Sequence, residues 1–288
     1  MQSKSVITFL REVYDQWQRD NAVSHGAALA YYTLFSMAPL LMLLIAIVGL
    51  VLGDAAARGQ LVGEIQNVIG PDGARTVEGL IVNVSAPRSG VLASAVSLLT
   101  MLVGASGVFG QLRTSLNHIW EVTPPTSSGM RAAARQRLAS FAVIVGIGGL
   151  LFASLVLTAA LAAVHDVLAH HLPVVTYLLP ALNFLLSFLL TTSLFAMIYK
   201  LLPDASMDWR DVWLGAAATA FLFTIGKTLI GLYLGRAGVT SVYGAAGSFV
   251  LVLLWVYYCA QVFLVGAEFT EVYSRLYGSR RTESGPPE

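Results

Sequence analysis

The sequence predicts an all-α, polytopic membrane protein with six transmembrane helices. Of its 288 residues 56% are apolar and only 11% are charged, whereas a soluble domain carries about 25% charged residues. Several uncharged runs exceed the roughly 18 residues that a helix needs to cross hydrocarbon. In one of them no charged residue occurs between Arg236 and Glu268. A soluble globular protein is therefore excluded.

The first 20 residues predict an amphipathic helix. Apolar side chains recur at helical spacing and charged side chains occupy the opposite face, which is typical of a helix lying on a membrane surface. The apolar positions are Val6, Phe9, Leu10, Val13 and Trp17.

The apolar runs predict spans over residues 27–53, 89–112, 138–164, 174–199, 212–234 and 243–271. Residues 54–88 have two helical stripes separated by Gly70, Pro71, Asp72 and Gly73. This pattern predicts a helical hairpin whose arms are too short and too charged to span. A polar loop that contains Arg113 and Asn117 is expected after the second span.

Basic residues predict the orientation of the spans. Twelve Lys and Arg residues fall on the side of the two termini and four on the opposite side. By the positive-inside rule both termini are then cytoplasmic, and the hairpin is extracytoplasmic. Residues 1–271 are expected to form a single membrane domain, followed by a cytoplasmic tail over 272–288.

A candidate substrate path follows from polar residues inside the spans. Lys227 is a charge within an apolar run and survives there only with a partner or water, unless it snorkels to the surface. Polar stripes on the neighbouring spans predict an interior wall. The path residues are Lys227, Thr224, Tyr257, Gln261, Asn183 and Ser187.

Glu268 continues the helical stripe of Tyr257 and Gln261, which lie within about 40° of it around the helix axis. It is displaced by about 20 Å from Lys227 along the axis, so a direct ion pair is not expected. Glu268 is instead predicted to join a cytoplasmic cluster, whose other members are His25, Asn117, Tyr199 and Lys200. Capping of helix ends at the interface is the alternative interpretation.

No catalytic or cofactor site is predicted. The sequence has no nucleophile with a base at a recognisable spacing. His165, Asp166, His170 and His171 match no common metal-ligand pattern and are interpreted as solvated loop residues. No basic run is long enough to predict nucleic-acid binding. We therefore expect no enzyme, no metal and no cofactor.

Residues 27–271 resemble the YihY/BrkB family of bacterial membrane proteins. The resemblance lies in the segment from Ala28 to Pro39, Gly104-Ala105-Ser106-Gly107, Leu116-Asn117, Tyr199, Pro203, Trp209, Gly215-Ala216, Tyr243-Gly244, Trp255-Val256-Tyr257 and Gly266-Ala267-Glu268. It implies an inner-membrane protein with six spans, without an agreed biochemical activity, and some members are linked to serum resistance or virulence. An older label for such proteins, ribonuclease BN, implies a tRNA-processing nuclease, but the clustered carboxylates and histidines of a hydrolytic metal site are absent.

Three functions are expected in descending order. The first is binding or movement of a lipid-like or anionic solute along the predicted path, with membrane lipids as partners and a role in the envelope or virulence. The second is a non-transporting membrane scaffold or envelope-integrity factor. The third, disfavoured, is the nuclease. A homo-oligomer is compatible with all three.

Overall fold

The computed structural model describes residues 6–85, 107–122, 146, 149–150, 153, 175–205, 207–236 and 247–282. Within these ranges the backbone is helical apart from short turns, and there is no strand. The all-α prediction is therefore confirmed for the described part of the chain.

The described chain forms seven α-helices and a final 3₁₀ turn. They are α1 (Val6–Arg19), α2 (Ala22–Leu52), α3 (Asp54–Ser85), α4 (residues 107–119), α5 (Val175–Leu201), α6 (Trp209–Arg236), α7 (Gly247–Leu276) and the turn Ser279–Thr282.

Three of these helices contain segments long and apolar enough to cross a membrane. The segments are Leu179–Leu201, Trp209–Leu229 and Phe249–Leu276, which match the predicted fourth, fifth and sixth spans. Most of the predicted second span and nearly all of the third lie outside the described residues, so the six-span topology stays a prediction.

Helix α7 is the element against which the others pack. It contacts α1, α2, α3 and α6, and it also contacts the 3₁₀ turn. Two glycines of α6, Gly215 and Gly226, lie against Thr270 and Tyr258 of α7, while Gly266 of α7 lies against Thr219. Small residues allow two helices to approach this closely. Because the earlier glycine of α6, Gly215, contacts the later residue of α7, Thr270, the two helices run antiparallel.

Helix α1 is amphipathic, as predicted, and one of its faces packs on the end of α7. Phe9 and Val13 are buried against Val272, with Phe269 beside them. Val6, Ile7 and Leu10 are exposed on α1. The chain then turns sharply at Asn21, which has a left-handed backbone with φ 51°, and α2 begins at Ala22.

The predicted hairpin over residues 54–88 is wrong, because α3 runs through the expected break as one helix. Proline lacks the backbone N–H and disfavours a helix interior. The helix continues because both of its halves have apolar positions to bury. Ala57 from the first half and Val77 and Ile81 from the second belong to one core cluster with residues of α2 and α7.

Two further boundaries differ from the prediction. Residues 113–119 belong to α4 and not to a polar loop, because Leu116 and Ile119 are buried in the main core on the same helix face. The predicted boundary after residue 271 falls inside α7, and the chain remains packed as far as the turn Ser279–Thr282. Asp211 of α6 accepts hydrogen bonds from the backbone N–H and hydroxyl of Ser279 at 2.9 and 2.7 Å.

We expect Gly266→Ala to lower the unfolding free energy by about 1–3 kcal/mol, as overpacking does in other cores. A Cβ at this position would overlap the side chains of Thr219 and Tyr199. Thermal unfolding of the purified protein in detergent, followed by tryptophan fluorescence, measures the change.

The matched control is Gly59→Ala, in α3. Within the described part of the chain, a Cβ at Gly59 meets no neighbouring atom within 4 Å, so this change should be neutral or stabilising by up to about 1 kcal/mol through helix propensity. Equal transition temperatures for the two variants would contradict the close α6–α7 contact.

Candidate functional site

Polar side chains gather where α2 begins and where α4, α5 and the second half of α7 come together. We call this set the polar end cluster. Its members are Asp20, His25, Ser115, Asn117, His118, Glu121, Tyr199, Lys200, Asp204 and Glu268. The five residues of the predicted cytoplasmic cluster are among its members, but the contacts described below join them to other residues, so their assembly into one site stays a prediction.

Tyr199 is a buried anchor between three helices. Its hydroxyl donates a hydrogen bond to the Phe263 carbonyl at 2.7 Å and lies 3.1 Å from Thr219 Oγ1. Thr219 in turn donates to the Gly215 carbonyl at 2.8 Å. Because the hydroxyl is fully engaged between α5, α6 and α7, Tyr199 contributes packing and hydrogen bonding to the bundle.

Asn117 fastens the end of α4 to the segment after α5. Its amide nitrogen donates to Asp204 Oδ2, and its amide oxygen accepts from the Asp204 backbone N–H, both at 2.9 Å. Arg113 Nε also donates to Asp204 Oδ2, at 3.0 Å. A charged acceptor that receives several donors makes a strong connection.

Lys200 closes the connection between α5 and α6. Its ammonium donates to the Met207 carbonyl and lies 5.8 Å from the centre of the Trp209 ring, within cation–π range. Both contacts join residues close in sequence, so Lys200 stabilises this short segment.

His25 connects the first turn of α2 to α4. Its Nδ1 lies 3.1 Å from the hydroxyl of Ser115, which is fully buried. Its ring centre is 5.1 Å from that of His118. Two imidazoles therefore face each other at the edge of the cluster, next to Asp20.

Glu268 is the member of the polar end cluster whose burial is not explained by hydrogen bonds to its neighbours. The residue is 0% exposed, and neither carboxylate oxygen has a hydrogen-bond partner in the geometry of the described chain. Its neighbour is the carboxyl group of Asp20, which lies within hydrogen-bonding reach. Burial raises the pKa of Asp20 above its ordinary value. An unpaired carboxylate at such depth is costly.

The predicted substrate-path residues do not converge on one place. Lys227 and Ser187 are exposed, whereas Asn183, Thr224 and Tyr257 are half-buried. Asn183 and Ser187 thus do not form a continuous interior stripe. Ala216 and Ala220 are fully buried, but Lys227 on the same side of α6 is exposed.

Gln261 joins α7 to the beginning of α2. Its Nε2 lies 3.4 Å from the Ala22 carbonyl and 3.5 Å from the Val23 carbonyl, and its side chain also covers Gly26. Gly226, the neighbour of Lys227, contacts Tyr258, so Lys227 lies at about the level of Tyr258 along α7. Gln261 itself lies one turn further along α7, towards the polar end cluster.

Sequence reasoning missed Asp20, Ser115 and Asp204. Asp20 is one of the charged residues among the first 20 and is the last charge before the uncharged run of α2. Their proximity depends on contacts between residues about 90 or more positions apart. Within the described ranges no group of three or more His, Cys, Asp or Glu side chains could hold a metal ion.

Asn117→Ala should destabilise the protein more than Arg113→Ala. The asparagine is 7% exposed and makes two hydrogen bonds to Asp204, whose loss costs about 1–3 kcal/mol. The Arg113–Asp204 pair is partly exposed, and exposed ion pairs contribute about 0–1 kcal/mol.

Thermal unfolding of both variants, with Thr114→Ala as control on the same turn of α4, measures the difference. Thr114 is exposed, and its hydroxyl donates to the Gly110 carbonyl of its own helix. A larger loss for Arg113→Ala would show that the ion pair dominates.

Comparison with known proteins identifies relatives along nearly the whole chain. The family model described as virulence factor BrkB matches residues 13–288. A UPF0761 membrane protein of Verminephrobacter eiseniae is 27% identical over 267 residues, which cover 91% of this chain and 61% of that protein. Another, of Rhodospirillum centenum, is 26% identical over 281 residues, covering 96% and 60%.

A third relative, the UPF0761 membrane protein of Azotobacter vinelandii, is 28% identical over 296 residues, covering 97% of this chain and 66% of the relative. The chain thus spans about three fifths to two thirds of the length of these relatives. No solved structure matches it. With an apolar helical bundle and a family match from residue 13 to residue 288, the chain is a membrane protein that belongs to the virulence factor BrkB family.

Proposed function

We propose that this protein is a six-span protein of the bacterial inner membrane, with both termini in the cytoplasm, that binds or moves a lipid-like or anionic solute. The observation that carries the proposal is the placement of Lys227. Its side chain is exposed on α6, inside the segment Trp209–Leu229 that is apolar enough to cross a membrane.

The depth of Lys227 favours a headgroup as its ligand. At 1.5 Å per residue it lies about 27 Å along α6 from Trp209, which is close to the hydrocarbon thickness of about 30 Å. A lysine near the end of a span extends its ammonium towards the interface. Phosphate and carboxylate groups of lipids are found at that level.

The neighbours of Lys227 favour an amphiphile over a small soluble anion. Ile225 and Leu229 are exposed beside it, and they would contact acyl chains. A ligand with an anionic head and an apolar tail satisfies both kinds of surface. Membrane lipids are therefore the proposed partners, and the proposal assigns no catalytic step, cofactor or nucleic acid to this chain.

A non-transporting scaffold is the second candidate. The side chains of Tyr199, Asn117 and Lys200 are engaged in contacts that join helices or close a connection. These contacts favour a scaffold, which would support the envelope through interactions at its surface. Both functions are compatible with a family that is described as a virulence factor. A homo-oligomer is also compatible with both.

Lys227→Met should reduce the preference for anionic lipid by about fivefold, since a lysine near an anionic lipid contributes about 1 kcal/mol. Native mass spectrometry of the purified protein, titrated with phosphatidylglycerol or phosphatidylcholine, measures bound lipid. Lys227→Arg should retain the preference, and Thr228→Met, at the exposed neighbouring position, should leave it unchanged.

Unchanged phosphatidylglycerol binding by Lys227→Met would refute the proposed contact. Movement is tested separately in proteoliposomes, where the rate at which fluorescent phosphatidylglycerol reaches the outer leaflet should fall in Lys227→Met. A wild-type rate equal to that of empty liposomes, with lipid binding intact, would favour the scaffold.

A further inference from the structure

The contact between Asp20 and Glu268 joins two acidic side chains from distant parts of the chain. Glu268 lies in the second half of α7 and is completely buried. Asp20 follows α1 and precedes the left-handed Asn21. Their carboxyl groups are within hydrogen-bonding reach of each other. The carboxyl group of Asp20 therefore occupies the position at which a buried Glu268 carboxylate would need a hydrogen-bond donor.

Two ionised carboxylates cannot occupy this arrangement at low cost. Each has only acceptor oxygens, so they repel each other and form no hydrogen bond. One proton changes the contact, because a protonated carboxyl donates to its ionised neighbour. Carboxyl pairs that share a proton in this way are known in enzyme active sites.

Within the described part of the chain, no lysine or arginine pairs with Glu268 in place of the proton. Glu271 also faces Glu268 from α7, and His25, His118 and Glu121 face Asp20 from α2 and the end of α4. Arg275 is engaged by Glu271 and by Glu12 of α1, each at 3.1 Å, and Arg280 approaches Glu271. Throughout the described residues, neither oxygen of Glu268 meets a donor.

We propose that Asp20 and Glu268 form a binding site for one proton, which fastens the turn between α1 and α2 to α7. The helices on both sides of this turn, α1 and α2, are attached to α7. Phe9 of α1 packs edge-on against Phe269 with 5.1 Å between ring centres, and Gln261 reaches the first carbonyls of α2. The shared proton closes the contact between these two attachments.

Loss of the proton leaves two adjacent negative charges beneath the turn. Repulsion then acts between α7 and the turn that carries α1, while the attachments at Phe9 and Gln261 remain. Deprotonation should therefore loosen the turn locally before the bundle unfolds. The burial that raises the pKa of Asp20 supports this interpretation.

Infrared difference spectroscopy of the purified protein tests the proton directly. The wild type at neutral pH should show the C=O stretching band of a protonated carboxylic acid, and this band should be lost in both Glu268→Gln and Asp20→Asn. The control Glu78→Gln alters an exposed glutamate of α3 and should retain it. If Glu268→Gln fails to fold, Asp20→Asn on the peripheral turn carries the same test.

The dependence of stability on pH supplies the second test. The folded pair holds a proton that the unfolded carboxyls, with ordinary pKa values of about 4, have released. Stability should thus fall as pH rises above that range, by up to roughly tenfold in the folding equilibrium constant per pH unit for one proton. This fall ends once the folded pair has lost its proton.

In Glu268→Gln the amide donates to Asp20 at every pH, so this slope should disappear, while Glu78→Gln should behave as the wild type. A carboxylic-acid band and a pH slope that persist in both Glu268→Gln and Asp20→Asn would overturn the proposal. Sodium-dependent stabilisation at fixed pH, relative to potassium and without the acid band, would also overturn it by indicating a metal cation. Neither measurement requires the solute of the proposed function.

Discussion

The close approach of α6 and α7 is the constraint on which the rest of the structure depends. Gly215, Gly226 and Gly266 allow two apolar helices to lie side by side, and the hydroxyl of Tyr199 joins α5 to both. In a bilayer, close packing and internal hydrogen bonds must hold helices together, since lipid chains are as apolar as the side chains they contact. This contact also brings Glu268 inside the bundle.

The polar end of the bundle combines two kinds of chemistry. Asn117, Lys200 and Tyr199 have their polar groups paired. Asn117 and Tyr199 connect parts of the chain that are far apart in sequence, whereas Lys200 closes the short segment between α5 and α6. Among the described residues, the carboxyl groups of Asp20 and Glu271 face Glu268, and neither of its oxygens meets a donor. A paired group adds stability under most conditions, whereas a buried pair of acids depends on a proton. Both occur in one region because α7 presents its polar stripe to several elements.

Lys227 of the predicted path and Glu268 of the predicted cytoplasmic cluster have separate roles in the proposals. Lys227 is exposed on the apolar outside of α6, and Glu268 is enclosed at the other end. A lysine tolerates the edge of a span because its long side chain reaches water or headgroups. A glutamate that is enclosed by protein reaches neither water nor headgroups. Depth and surroundings, more than charge itself, distinguish the two.

The sequence by itself determined the helical class, the three described apolar spans and the amphipathic α1, because hydropathy and helical periodicity are local properties. Only the tertiary structure decided that α3 is continuous across Pro71, because packing of both its halves outweighs a local break signal. The Asp20–Glu268 contact likewise depends on how α1 folds back onto α7, which no spacing in the sequence records.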